Sequence, residues 1–316
     1  MSNKTMKTKA IHFTSFGNAV IVQISSQPLS AFPFLPAGPA IRNGSLIISE
    51  LTASGSVGQL AAINQTSDYL LLTDADVLTG AKQNRVVNRS VLLAPSSKTV
   101  IEVSCVERLR WDYRSSSFST PGSVADPNLR GRKAGTFSRM KPENEPGFCN
   151  TQGEVWDHVR ANLACEGVHS RTESYEELLQ FRMQKADRVF PECHPAEGCN
   201  GLAVILDGKV ISADIFGNED SFRYYFPMLC DAAFTLTRPG DDKEQPEMHE
   251  AYFRALEAID EFNDAGRHTE DAHPGAGTLS MVETERLVGF SLVHGDEMIH
   301  NALFARHDPA TRLFAE

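Results

Sequence analysis

Two stretches of this chain share one plan, and that plan limits the fold more than any other feature. Gly201-Leu-Ala-Val-Ile-Leu-Asp-Gly-Lys-Val-Ile-Ser-Ala-Asp-Ile-Phe216 is an apolar run, a turn pair, a second apolar run and a closing Phe. Gly289 to Phe304 repeats the order. Asp207-Gly208 between two apolar runs is a strong hairpin signal, because both central turn positions favour positive φ. Two related hairpins, an echo of one unit, commit this part of the chain to antiparallel sheet. Between them the spacing predicts two helices. One runs from Ser221 to Leu236 with a bend at Pro227. The other runs from Glu247 to Phe262, where Met248, Tyr252, Ala255, Leu256, Ile259 and Phe262 mark one face.

The first third also reads as β. Ala19–Ile24, Ser45–Glu50, Val57–Ile63, Tyr69–Thr73, Val91–Ala94 and Thr99–Val106 are short apolar runs separated by turn residues. The Pro-rich run from Pro33 to Pro39 is excluded from helix and from central strand, since proline brings no ladder donor. The pattern fails from Asp112 to Asn150, a Ser-, Gly- and Pro-rich stretch containing Arg130-Gly-Arg-Lys133, and this reads as an irregular insertion. Thr151-x-x-Glu154 and Ser174-x-x-Glu177 are capping-box patterns that open helices. The stretch from Asn263 to Gly277 reads as a loop. The expectation is an α+β fold with a mostly antiparallel β core, sandwich- or barrel-like. Helices pack on it, and a hairpin–helix–helix–hairpin unit ends the chain. Residues 1–112 would be β-rich and carry the main polar site, 113–150 would be an insertion, and 151–316 an α+β part packed on the first as one compact unit.

Composition narrows the partners. The 316 residues are 41% hydrophobic and 22% charged, with a formal net charge of -11. An acidic surface repels nucleic acid and anionic membrane, so neither is an expected partner. No run approaches the roughly 18 apolar residues of a membrane helix. The N-terminus lacks the apolar core of a secretory signal, and six scattered cysteines suit a reducing compartment. The expected location is cytoplasmic.

The chemistry is concentrated between Gly80 and Trp111. Gln83, Asn84, Arg85, Glu107 and Arg110 crowd the ends of apolar runs, where they can grip a polar ligand and would be costly as core. Arginine offers a planar fork for phosphate or carboxylate. Glu107 beside Arg108 and Arg110 stays charged and positioned, as an acid/base group requires. Trp111 can stack a base or sugar face, or serve as a core or hinge aromatic. Cys105, two residues before Glu107, reads as a small buried hydrophobe rather than a nucleophile. Asp214 and His300, at the hairpin exits, are the further base or metal-ligand candidates. Cys193, His194 and Cys199 have poor zinc spacing.

These residues carry a resemblance. Gly80-Ala-Lys-Gln-Asn-Arg85 followed by Cys105-Val-Glu-Arg-Leu-Arg-Trp111 is similar to G-A-x-Q-N-R and C-V-E-x-G-R-W of the ARG and rhodanese-phosphatase-superfamily-associated protein domain family, ARPP-1. Asp214-Ile-Phe216 and Ile299-His-Asn-Ala-Leu-Phe304 resemble its later blocks. Leu109 stands where that pattern has glycine. The resemblance implies a site for an ADP-ribose-like or other NAD-derived nucleotide without fixing a reaction, and the leading expectation is an enzyme that hydrolyses it. Arg85 and Arg110 would hold phosphate, Gln83 and Asn84 would read hydroxyls or the base, and Glu107, Asp214 or His300 would be catalytic. A divalent metal, Mg²⁺ or Mn²⁺, can share such a ligand. The alternatives are a non-catalytic module that binds or senses the nucleotide, and a protein-interaction domain.

Overall fold

The computed structural model describes residues 7–139, 151–185, 192–237, 246–269 and 273–306. The chain begins with β1 (Lys7–Phe16), β2 (Ala19–Gln27), β3 (Leu35–Pro36), α1 (Ala37–Arg42), β4 (Leu46–Glu50), β5 (Gln59–Asn64) and β6 (Leu70–Leu72). It continues with β7 (Val77–Gly80), β8 (Arg85–Val87), β9 (Val91–Leu93), β10 (Ser97–Cys105) and β11 (Phe118–Ser119). Helices α2 (Pro127–Arg139), α3 (Gln152–Cys165) and α4 (Tyr175–Lys185) follow. The last part runs β12 (Gly201–Leu206), β13 (Lys209–Phe216), α5 (Glu219–Phe234), α6 (Met248–Asp264), β14 (Arg267–Thr269), β15 (Thr278–Glu283), β16 (Leu287–His294) and β17 (Glu297–Ala305). This is an α+β fold with an antiparallel core. One sheet has the order β1-β2-β12-β13-β17-β16-β15-β14, a second β11-β7-β8-β10-β5-β4, and a small third β3-β6-β9. Among the described residues only the β3–β6 pair is parallel.

Both expected hairpins form. Asp207 and Gly208 take φ of 51° and 75° at the turn, and each hairpin carries a register shift shortly before its turn, at Val204/Ile205 and at Leu292/Val293. β13 and β17 pair so that Asp214 lies opposite Ala302, its equivalent in the repeated plan. The hairpins are therefore related by a local two-fold. The large sheet buries Val20, Val22, Ile24, Ala203, Ile205 and Ala213 against Ala251, Ala255, Ile259 and Phe262 of α6. Its other side meets the aromatic stripe of α5, Phe222, Tyr225, Phe226 and Phe234. The Asn218 side chain caps α5 by accepting from Ser221 N–H at 2.8 Å.

Four local expectations are corrected. Pro39 sits in the first turn of α1, where a missing N–H costs nothing because that donor has no partner within the helix. Thr151 does not cap α3 through its side chain. Its hydroxyl lies 2.5 Å from that of Ser104 instead, a buried tie to β10. The segment 113–150, expected to be irregular, carries β11 and the 13-residue α2 in its described part. The loop after α6 holds the short edge strand β14. Ser174-x-x-Glu177 predicts a helix to about Val189, and the part of that expectation beyond Lys185 lies outside the described residues.

Candidate functional site

The segment from Gly80 to Trp111 folds back on itself through a tight turn. Gly80 has φ +119°, and a Cβ there would stand 2.5 Å from Ser115 Oγ and 3.0 Å from Ser117 O. Only glycine fits. Ala81 follows, also at positive φ, 37°. This geometry aims the Gly80 and Ala81 carbonyls at Arg110, which donates from Nη2 to Gly80 O at 3.3 Å and from Nη1 to Ala81 O at 2.8 Å. Arg110 also donates from Nη1 to Asp112 O at 2.8 Å, from Nη2 to Asn84 Oδ1 at 3.1 Å, and from Nε to Glu107 Oε2 at 2.8 Å. Asn84 N–H donates to the same Glu107 oxygen at 3.3 Å. Burial pushes the Glu107 carboxyl up, but the hydrogen bonds and charge of Arg110, with Asn84 and Thr172, overcome it and hold it below the usual carboxylate range. Glu107 and Arg110 thus brace the turn, and every nitrogen of Arg110's guanidinium is engaged within the protein.

Arg85 lies beside this brace. It is fully buried and faces Cys105 across the β8–β10 pair. Its Nη1 donates to Gln83 O and Oε1 at 3.0 and 3.2 Å, and its Nη2 to Ser56 O at 3.3 Å. Its nearest carboxylate is Glu50 at 3.6 Å, and its Nε has no hydrogen-bond partner. Burial lowers the Arg85 pKa and pushes the Cys105 thiol up to about 11, which leaves it a thiol at neutral pH. The surface of this region is aromatic. Trp111 is 42% exposed and Tyr113 51%. The Lys82 ammonium lies 5.2 and 5.0 Å from their ring centroids, and the Arg85 guanidinium lies 5.9 Å from Trp111. Arg114 reaches Glu107 Oε1 from the exposed side at 3.5 Å. Leu109 is exposed at 61% and lies outside the left-handed region, so its side chain at the family's glycine position strains nothing.

Gln83, Asn84, Arg85, Glu107, Arg110 and Trp111 therefore come together. Asp214 and His300 belong to another centre. There Arg130 of α2, 1% exposed, forks between two carboxylates. It donates to Asp74 at 2.8 Å twice and to Asp214 at 2.6 and 2.9 Å. His300 Nε2 lies 3.1 Å from Asp214 Oδ1, and its Nδ1 lies 2.9 Å from Ser90 Oγ. A carboxylate only accepts, so His300 donates from Nε2 to Asp214. Burial raises Asp214, yet Arg130 and His300 hold it well below its usual pKa. Lys133, one helical turn beyond Arg130, donates to Asp74 O and Val87 O at 2.6 and 2.5 Å, and burial pushes its pKa down to about 7. Ser90, His300 and Asp214 line up as nucleophile, base and orienting carboxylate do, but all three are buried.

Sequence reasoning missed Arg130, Lys133, Asp74 and Ser90 as members of this centre. The available signal was Asp126-Pro127, a helix cap followed by proline at the first helical position. Asp126 Oδ1 accepts from Leu129 N–H at 2.9 Å as that pattern requires. Among the described residues no three His, Cys, Asp or Glu side chains gather in a group that could hold a metal ion, and no helix is long and apolar enough to cross a membrane. A groove of about 780 Å³ against α6 is lined by Phe253, Leu256, Asp260 and Glu285, and none of the expected site residues reaches it.

An antiparallel α+β core with an arginine–glutamate brace beneath an exposed aromatic shelf is the class that fold and site define. The chain belongs to the ARG and Rhodanese-Phosphatase-superfamily-associated Protein domain family, ARPP-1, whose profile matches residues 8–304. Comparison with curated proteins and with solved structures gives no match.

Proposed function

We propose that this protein binds an ADP-ribose-like, NAD-derived nucleotide at the Trp111–Tyr113 shelf. The observation that carries this reading is the exposed pair of rings with the Lys82 ammonium beside both and the Arg85 guanidinium beneath Trp111. A base stacks on an aromatic face, and a diphosphate needs fixed cations close to it. Among the described residues Lys82 has no carboxylate within ion-pair distance, and its ammonium is held by the Ser54 carbonyl at 2.7 Å. The family's name, which associates it with ARG and the rhodanese-phosphatase superfamily, supports a role beside enzymes.

Binding is better supported than hydrolysis. Glu107 is held ionised by Arg110, which suits a general base and not a general acid. The hydrolytic reading keeps one supporting observation, that Glu107 Oε1 is reached from the exposed side by Arg114. The test is titration with ADP-ribose, NAD⁺, ADP and AMP, with and without Mg²⁺ or Mn²⁺, followed by thermal shift, tryptophan fluorescence and chromatography of products. ADP-ribose should raise the melting temperature, and Trp111→Ala should weaken binding about tenfold, the loss expected for one base–aromatic stack. Unchanged affinity in Trp111→Ala sinks the shelf, and consumption of the ligand would turn binding into catalysis.

A further inference from the structure

The cations under the shelf are covered by the protein's own backbone. The loop between β4 and β5, residues 51–58, lies across them. Ser54 O accepts from Lys82 Nζ at 2.7 Å, and Ser56 O accepts from Arg85 Nη2 at 3.3 Å. On either side, Ala53 O accepts from Tyr113 OH at 3.1 Å and Val57 O from Cys105 Sγ at 3.5 Å. Four carbonyl oxygens of one short loop thus sit on donors of the shelf region. Gly55, at φ +80°, makes the bend, and a Cβ there would stand 3.0 Å from Lys82 and 3.2 Å from the Trp111 ring.

We infer that residues 53–57 are a self-cover over a phosphate subsite formed by Lys82 and Arg85, displaced when a diphosphate takes the places of the Ser54 and Ser56 carbonyls. The inference rests on the nucleotide reading above. Three observations carry it. The cover is incomplete, because Arg85 Nε and Glu50 Oε1 are buried there without hydrogen-bond partners. The loop is held mainly by polar contacts, since Thr52, Ala53, Ser54 and Val57 are exposed and bury no apolar side chain. A carbonyl is also the weaker acceptor for an ammonium or guanidinium, and a phosphate oxygen makes the stronger, charge-assisted bond to the same donor. The freed carbonyls lie on a loop exposed at Ala53, Ser54 and Val57 and turn to water. Glu50, whose Oε2 accepts from Ser56 N–H at 3.4 Å, is the inner latch of the cover.

The test uses the full chain with ADP-ribose and inorganic pyrophosphate as probes. Three measurements are made: affinity of the wild type, affinity of a variant lacking Ser54–Ser56, and amide exchange of the wild type with and without probe. Displacement predicts that ADP-ribose speeds exchange at Gly55 and Ser56. It also predicts that the shortened loop tightens binding about tenfold and that Lys82→Met weakens it by a similar factor. Binding by the shortened chain alone also supports the cover. Binding of ADP-ribose with no change at Gly55 and Ser56 and no gain on shortening overturns the cover and leaves the nucleotide reading standing. No binding by either chain overturns both. If the shortened chain does not fold, the exchange measurement on the wild type decides.

Discussion

Glu107 carries more of the turn than its single charge suggests. Its carboxylate receives Arg110 Nε and the Asn84 N–H, and Arg110 in turn holds the Gly80 and Ala81 carbonyls. Removing the charge strands a buried guanidinium, so Glu107→Gln should lower unfolding free energy by about 3 kcal/mol, the usual order for breaking a buried pair. The pH dependence has a definite sign. The folded carboxyl is held below its unfolded value of about 4.3, so its contribution is complete above that value and is lost as pH falls through the folded pKa. Urea midpoints from pH 7 to pH 3 should therefore converge for wild type and Glu107→Gln in acid. Parallel lines would refute this. At this scale the sequence was legible in composition: polar residues at strand ends marked the cluster. Their direction was not, because whether Arg110 turns outward or inward depends on the two positive-φ residues at Gly80 and Ala81.

Helix α2 shows what periodicity cannot reveal. Its buried face mixes charge with apolar residues: Arg130 and Lys133 sit among Leu129, Ala134 and Phe137 and reach Asp74, Asp214 and the Val87 carbonyl. Charged residues interrupting the apolar spacing make such a helix read as loop, whereas the Val155, Val159 and Leu163 stripe of α3 and the apolar face of α6 were readable. Lys133 gives the element a testable signature. Its pKa is about 7 when folded, against about 10.4 unfolded. Between those values the unfolded chain holds a proton the folded chain lacks, so this group makes stability rise with pH, and below them its effect is flat. The rise approaches about 1.4 kcal/mol per pH unit. Lys133→Met should remove it, read as urea midpoints from pH 7 to pH 10. An unaltered slope would mean that Lys133 is not the buried group that titrates.

At the level of the molecule, the strands of the first 27 residues do not stay with the first 112. β2 pairs with β12 from Ala19↔Leu206 to Ile24↔Gly201, and it contributes Val20, Val22 and Ile24 to the core under α6. Each strand was legible by itself, but a pairing across such a span leaves no local trace in sequence, since register is set by the faces that end up buried. A fragment of residues 1–112 would expose the whole inner edge of β2 and should aggregate or stay unfolded. Circular dichroism and gel filtration check this, and a monomeric, cooperatively melting fragment would contradict it. The same pairing sets a timetable. During synthesis β2 emerges long before β12, and β17, which flanks β13, is made last among the described strands. Closing such distant pairs is slow and entropically costly. The first strand pair must wait, with an unpaired apolar edge, for most of the chain to leave the ribosome. Until then that edge is open to pairing with other chains, and aggregation competes with folding for as long as it waits.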